Sequence, residues 1–116
     1  MIDAHCHLNF KAFNKDYDDV VKRAFEAGVT RIINVGTKID SSERAVELAE
    51  KYENLYAIVG VHPHHADQVT RGHSEQSEGS PDEWIKQLER LVEHLKVVGI
   101  GECGMDFYRY QSNDIF

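Results

Sequence analysis

The feature that most constrains this chain is a hydrophobic period that keeps switching: short continuous apolar runs alternate with apolar residues at helix spacing, in units of about 30 residues. Ile2 to Leu8 read as a strand, and Tyr17, Val20, Val21, Ala24 and Phe25 then recur along one helix face that Gly28 ends. Arg31 to Gly36 is a second, β-branched run. Asp40 with Glu43 three residues on has the spacing of a capping pair, and Ala45, Val46, Leu48, Ala49 and Tyr52 form the next stripe. Leu55 to Val61 is the third strand, followed by a polar loop from Ala66 to Gly79. Ser80, Pro81, Asp82 and Glu83 then place an N-cap, a first-turn proline and a capping acid ahead of Trp84, Ile85, Leu88, Leu91, Val92 and Leu95, and Val97 to Cys103 is a fourth strand. Strands separated by covering helices define an α/β chain with parallel βαβ crossovers, and 116 residues make one domain at most.

Composition narrows the function classes. A net charge of −7 argues against gripping nucleic acid by bulk charge, so any phosphate chemistry must be local. No window approaches the ~20 apolar residues of a membrane span, and no basic region precedes the first apolar segment, so neither a span nor a signal peptide is expected. Cys6 and Cys103 are too few for a disulfide scaffold, which points to the cytoplasm, and both are expected to be small packed residues.

Three constellations carry chemistry. On a strand, alternate side chains share a face, so Asp3, His5 and His7 are expected together, with the two imidazoles able to reach one cation and Asp3 able to orient a ring. Two imidazoles in an apolar strand need partners or they cost stability. Glu102 stands at the C-terminal end of the fourth strand, the end where such sheets bind ligands, with Gly101 and Gly104 beside it to allow a close approach and an unusual turn. The third is Gly60-Val61-His62-Pro63-His64-His65, where alternation puts His62 and His64 on one face, suited to a substrate phosphate or a water. His73 is read as loop and His94 as the polar face of the third helix.

With these in place, the sequence resembles the TatD family of metal-dependent deoxyribonucleases, among the amidohydrolase-like barrels. Ile2-Asp3-Ala4-His5-Cys6-His7-Leu8, Gly60-Val61-His62-Pro63-His64 and Gly99-Ile100-Gly101-Glu102-Cys103-Gly104-Met105-Asp106-Phe107-Tyr108 look like that family's first, third and fourth strand motifs. The resemblance implies a (β/α)8 barrel, of which residues 1–116 are about the first four βα units and one N-terminal half domain, since a whole barrel needs ~250 residues. It implies one or two divalent ions (Zn, Mn or Mg), with His5 and His7 on the first, Glu102 as a bridging and catalytic carboxylate, and His62 and His64 near the phosphate of a DNA substrate.

The family's later histidine ligands and its aspartate would lie beyond Phe116, so slow catalysis by this chain alone is expected. Two rivals share the residues: an amidohydrolase-type metalloenzyme acting on a C–N bond or a lactone, and a non-catalytic half barrel. An open half barrel exposes its inner face and the edges of its outer strands, and Val97, Gly99 and Gly101 are expected to lack cover. A homodimer or the missing C-terminal half would then cover them.

Overall fold

The computed structural model describes residues 1–65 and 81–104. The expectations for the loop from Ala66 to Gly79, the Ser80 cap, His73 and everything from Met105 onward lie outside the described residues. The elements are β1 (Ile2–Cys6), α1 (Tyr17–Glu26), β2 (Arg31–Val35), α2 (Ile39–Lys51), β3 (Leu55–Val59), α3 (Pro81–Val92) and β4 (Val97–Ile100), with 3₁₀ turns at Lys11–Phe13 and Pro63–His65. The strands form one parallel sheet in the order β1-β2-β3-β4. Among the described residues no helix is long and apolar enough to cross a membrane.

Each strand ends sooner than the apolar run in the sequence. Ladder pairing stops at Cys6, Val35, Val59 and Ile100, so His7, Gly60, Val61, Gly101, Glu102 and Cys103 belong to the connections that leave the sheet. The third helix ends at Val92, which puts His94 in the turn to β4, where its ring bonds Glu50 at 2.9 Å.

Helix ends follow local chemistry. Asp18 and Asp19 lie in the first turn of α1 and Arg23 in its last, each suited to the helix dipole. Gly28 closes α1 with φ +96°, a backbone region that side chains disfavour. The start of α2 differs from the expected Asp40–Glu43 pair. The helix begins at Ile39, so Asp40 falls inside the first turn, and Ser41 Oγ instead accepts the amides of Thr37 at 2.9 Å and Lys38 at 3.0 Å.

The core lies between the sheet and its helices. Leu55, Ala57 and Val59 alternate onto the helix-covered face of β3 and are wholly buried, as are Ala45, Leu48 and Ala49 of α2. Burying a side chain such as Leu48 or Leu55 contributes roughly 1.5–3 kcal/mol. Tyr52, Leu88, Leu91, Val92 and Val97 pack against this cluster. The residues of β4 left open are therefore Val98, at 53% exposure, and Ile100, at 69%, rather than Val97. Val97, opposite Ala57, and Ile100, opposite Val59, lie on the side of the sheet that α3 covers, with Ile100 at the margin beside Trp84, Ile85 and Leu88, while Gly99 shares the side of Ile58, because the extra residue in β4 breaks its alternation.

Register distinguishes the inner pair of strands from the outer ones. β2 and β3 pair without interruption from Ile32↔Leu55 to Val35↔Ile58. β1 advances from Asp3 to Cys6 while β2 advances only from Ile32 to Asn34, an extra residue on the outer strand. β4 does the same, passing from Val97 to Gly99 while β3 moves from Ala57 to Ile58. At the end of β3 the buried Ser42 hydroxyl bonds both the amide and the carbonyl of Gly60, at 3.2 and 3.3 Å. A Cβ on Gly60 would collide with the Gly101 carbonyl, so the close approach of the two strand ends is set by Gly60.

Candidate metal centre

His5 and His7 stand at the end of β1, His62 follows β3 and Glu102 follows β4, so three separate strands deliver side chains to one rim of the sheet. His5 Nε2 lies 2.7 Å from Glu102 Oε1 and 3.3 Å from His7 Nε2. Metal–nitrogen bonds of 2.0–2.1 Å at a tetrahedral ion would hold two ligand atoms about 3.3 Å apart. The ligand atoms of His5, His7 and Glu102 all lie within 4.8 Å of one another. The His5 side chain is 54% exposed and that of Glu102 31%, so the cluster opens to solvent and an ion has a path in.

Hydrogen bonds on the far side of each ring assign the tautomers. His7 Nδ1 is 2.8 Å from the Val35 carbonyl, which can only accept, so the proton is on Nδ1 and the Nε2 lone pair faces His5. His62 is the reverse. Its Nδ1 accepts the His64 amide at 3.1 Å, and its Nε2 donates to Glu102 Oε2 at 2.8 Å. One ring is thus prepared to give a lone pair, and the other is a donor that holds the second carboxylate oxygen. The Phe10 ring stacks on His7 at 4.4 Å, restricting it further.

Three expectations need correction. Asp3 orients no ring: its Oδ1 accepts the backbone amide of His5 at 3.2 Å, within the stretch where β1 carries its extra residue, and the ring acceptor is the Val35 carbonyl. His62 and His64 do share a face, with rings 4.7 Å apart, but a 3₁₀ turn begun at Pro63 brings them together rather than strand alternation. Of the cysteines, Cys6 packs partly against the core whereas Cys103 is exposed. Burial pushes the Cys6 thiol from 9.0 up to about 11, against a lowering bond from Leu8 and with Asp3 adding to the rise. It therefore stays protonated and donates to Asn34 Oδ1 at 3.1 Å.

Asn9 and Asn34 also shape this rim, although neither belongs to any of the three motifs. Both amides are buried, and Asn9 Nδ2 donates to the carbonyls of Val35, at 3.1 Å, and Ser41, at 2.8 Å. The available signal was a polar residue inside the apolar run Ile32-Ile33-Asn34-Val35, since a buried polar group needs partners.

A parallel βα sheet whose strand ends gather two histidines and a carboxylate on one rim has the layout of a metallohydrolase of the (β/α)8 class. The TatD-related DNase family model matches residues 2–115, and the chain belongs to that family. It is 41% identical over 109 residues to the 3'-5' ssDNA/RNA exonuclease TatD of Salmonella typhimurium, covering 94% of this chain and 38% of that protein. It is 37% identical over 109 residues to the uncharacterised metal-dependent hydrolase YjjV of Escherichia coli, covering 92% of this chain and 38% of that one. The crystal structure of YjjV superposes with a TM-score of 0.74 over 93% of this chain and 38% of that one, at 34% identity. A TatD-family hydrolase from Entamoeba histolytica gives 0.73 over 96% and 39%, at 28% identity. The chain thus spans about 38% of the length of the curated relatives it matches, and its sheet corresponds to the N-terminal part of their barrel.

Proposed function

We propose that this chain carries part of the metal centre of a divalent-metal-dependent nuclease that hydrolyses phosphodiester bonds of DNA, with His5, His7 and Glu102 as ligands. What carries this reading is the convergence of those three side chains, from β1 and the end of β4, within one ion's reach. The donor set, two imidazoles and a carboxylate, suits Zn or Mn, and Mg more weakly, and Glu102 can bridge to a second ion. A bound divalent ion would supply an activated water and stabilise the charge on the leaving oxygen. The chain's own residues do the rest. Val35 holds His7 with its lone pair facing inward, and His62 fixes one oxygen of Glu102 while the other faces His5. His62 and His64, stacked edge to face at the same rim, are placed to meet a substrate phosphate.

In the same reading residues 1–116 are the N-terminal half of one barrel domain, of the amidohydrolase-like type and cytoplasmic. The exposed outer edge at β4, where Val98 and Ile100 lie, is then what the remaining strands, or a second copy of this chain, would cover.

Calorimetry with Zn²⁺ and Mn²⁺ tests the centre. Binding is expected in the 116-residue chain and is expected to be lost in the His5→Ala, Glu102→Ala double variant. Undiminished affinity there removes the metal assignment. EDTA-sensitive release of nucleotides from single-stranded DNA, run beside a panel of amides and lactones, decides the substrate class. Sedimentation equilibrium on the same sample reads whether a second copy is present.

A further inference from the structure

Asn34 is the one wholly buried amide in the middle of a strand among the described residues, and the reading above gives it no task. It stands opposite Cys6, where β1 resumes pairing after its extra residue. Its Oδ1 accepts two bonds: the Cys6 thiol at 3.1 Å and the Leu8 amide, also at 3.1 Å. Those two residues flank His7. The ladder of β1 has already ended at Cys6, so no regular strand bond fixes the chain on the far side of His7, and the Asn34 side chain takes that place. The next residue on β2, Val35, accepts the His7 ring proton at 2.8 Å. Asn34 Nδ2, by contrast, is buried with no partner among the described residues, an arrangement that adds nothing to stability.

We infer that Asn34 is a positioning residue for His7: its side-chain carbonyl holds the Cys6 thiol before the histidine and the Leu8 main-chain amide after it, so that the ring keeps its bond to Val35 and presents the Nε2 lone pair to an ion. An apolar side chain of the same shape would fill the space but leave His7 free to swing off Val35. The inference rests on the metal-centre reading only in saying what the lone pair is for, since the tautomer can be read without metal.

The test uses the 116-residue chain. In the unmutated protein the His7 ring is expected to hold a single Nδ1–H tautomer, read from its imidazole ¹⁵N shifts, and to bind Zn²⁺ by calorimetry. Asn34→Leu, similar in shape but without the acceptor, is expected to fold, to mix the His7 tautomers and to weaken zinc binding roughly 10- to 100-fold. Asn34→Asp keeps an acceptor oxygen in place and is expected to restore the single tautomer and most of the affinity. A merely structural asparagine gives a lower melting temperature with tautomer and affinity unchanged, and that result overturns the inference. So does an unmutated His7 that is mainly Nε2–H. If Asn34→Leu fails to fold, Asn34→Asp decides: one tautomer upholds the inference, while mixed tautomers or failure to fold overturn it. If the unmutated chain binds no zinc, the metal-centre reading fails while the tautomer comparison still judges Asn34.

Discussion

The inner strands and the outer strands of this sheet are built for different ends. β2 and β3 pair in unbroken register, and β3 gives α2 a face of Leu55, Ala57 and Val59 with no exposure at all. β1 and β4 each carry an extra residue against their inner neighbour, and from Ile2 to His5 β1 is exposed. The candidate ligands lie on β1 or just beyond the ends of β1 and β4. An inserted residue re-aims the side chains that follow it, which suits a strand that must deliver imidazoles to a rim. It also gives up regular pairing, and single side chains replace it: Asp3 on the His5 amide, Asn34 on the Leu8 amide. Burial therefore concentrates in β2, β3 and α2, and the candidate ligands at the ends of the strands they support.

The sharpest way to break this division is to weaken the inner layer. Leu48→Ala, at a site with no exposure, is expected to lower stability by about 2–5 kcal/mol, as read by urea denaturation. Metal affinity of the fraction still folded should stay within about threefold, so that the loss reports unfolding and not damage to the site. A large affinity loss in fully folded protein would show that the core and the rim are not separable in this way.

A smaller effect is expected at the opposite rim. Lys96, at the start of β4, donates to the carbonyls of Tyr52, Glu53 and Leu55 at 3.2, 2.6 and 3.3 Å and lies 4.9 Å from the centre of the Tyr56 ring. One ammonium thus joins the end of α2, the entry to β3 and the entry to β4. Lys96→Met keeps the stem and removes the charge, and a loss of about 1–2 kcal/mol in thermal or urea unfolding is expected, with zinc affinity unchanged. Unaltered stability would mean that water satisfies those carbonyls equally well.

The smallest effect separates the two cysteines. Cys103 is exposed and should react with iodoacetamide in the native chain, while Cys6, its thiol raised to about 11 by burial, should stay unlabelled until the protein unfolds. Mass spectrometry of the labelled peptides reads this directly. The sign of the accompanying pH effect is fixed. The thiol ionises in the unfolded chain near 9.0 but in the folded chain only near 11, so its contribution is whole below pH 9 and falls as pH rises through that interval. Cys6→Ala should flatten that part of the stability curve. Rapid native labelling of Cys6 would place β1 among the loosely held parts of the fold.

The sequence by itself determined the order of elements, because the switch between apolar runs and helix-spaced apolar residues is a local property that burial enforces in any tertiary setting. Gly28 could be read as a helix end for the same reason, and so could the stripe from Ala45 to Ala49. The candidate ligands His5, His7 and Glu102 were legible too, since imidazoles and a carboxylate at strand ends have few structural uses. What periodicity could not supply was anything that depends on two segments meeting. The extra residues in β1 and β4 arise from pairing with inner strands distant in the chain, and they reassigned Asp3 from a histidine ring to a backbone amide. The capping atom of α2 moved from Asp40 to Ser41 because the helix starts two residues earlier than the pattern suggested. The tautomers of His7 and His62 were decided by Val35, 28 residues away, and by the turn that brings the His64 amide round. A hydrogen bond across such a separation leaves no trace in local spacing, and only the folded sheet places its two ends together.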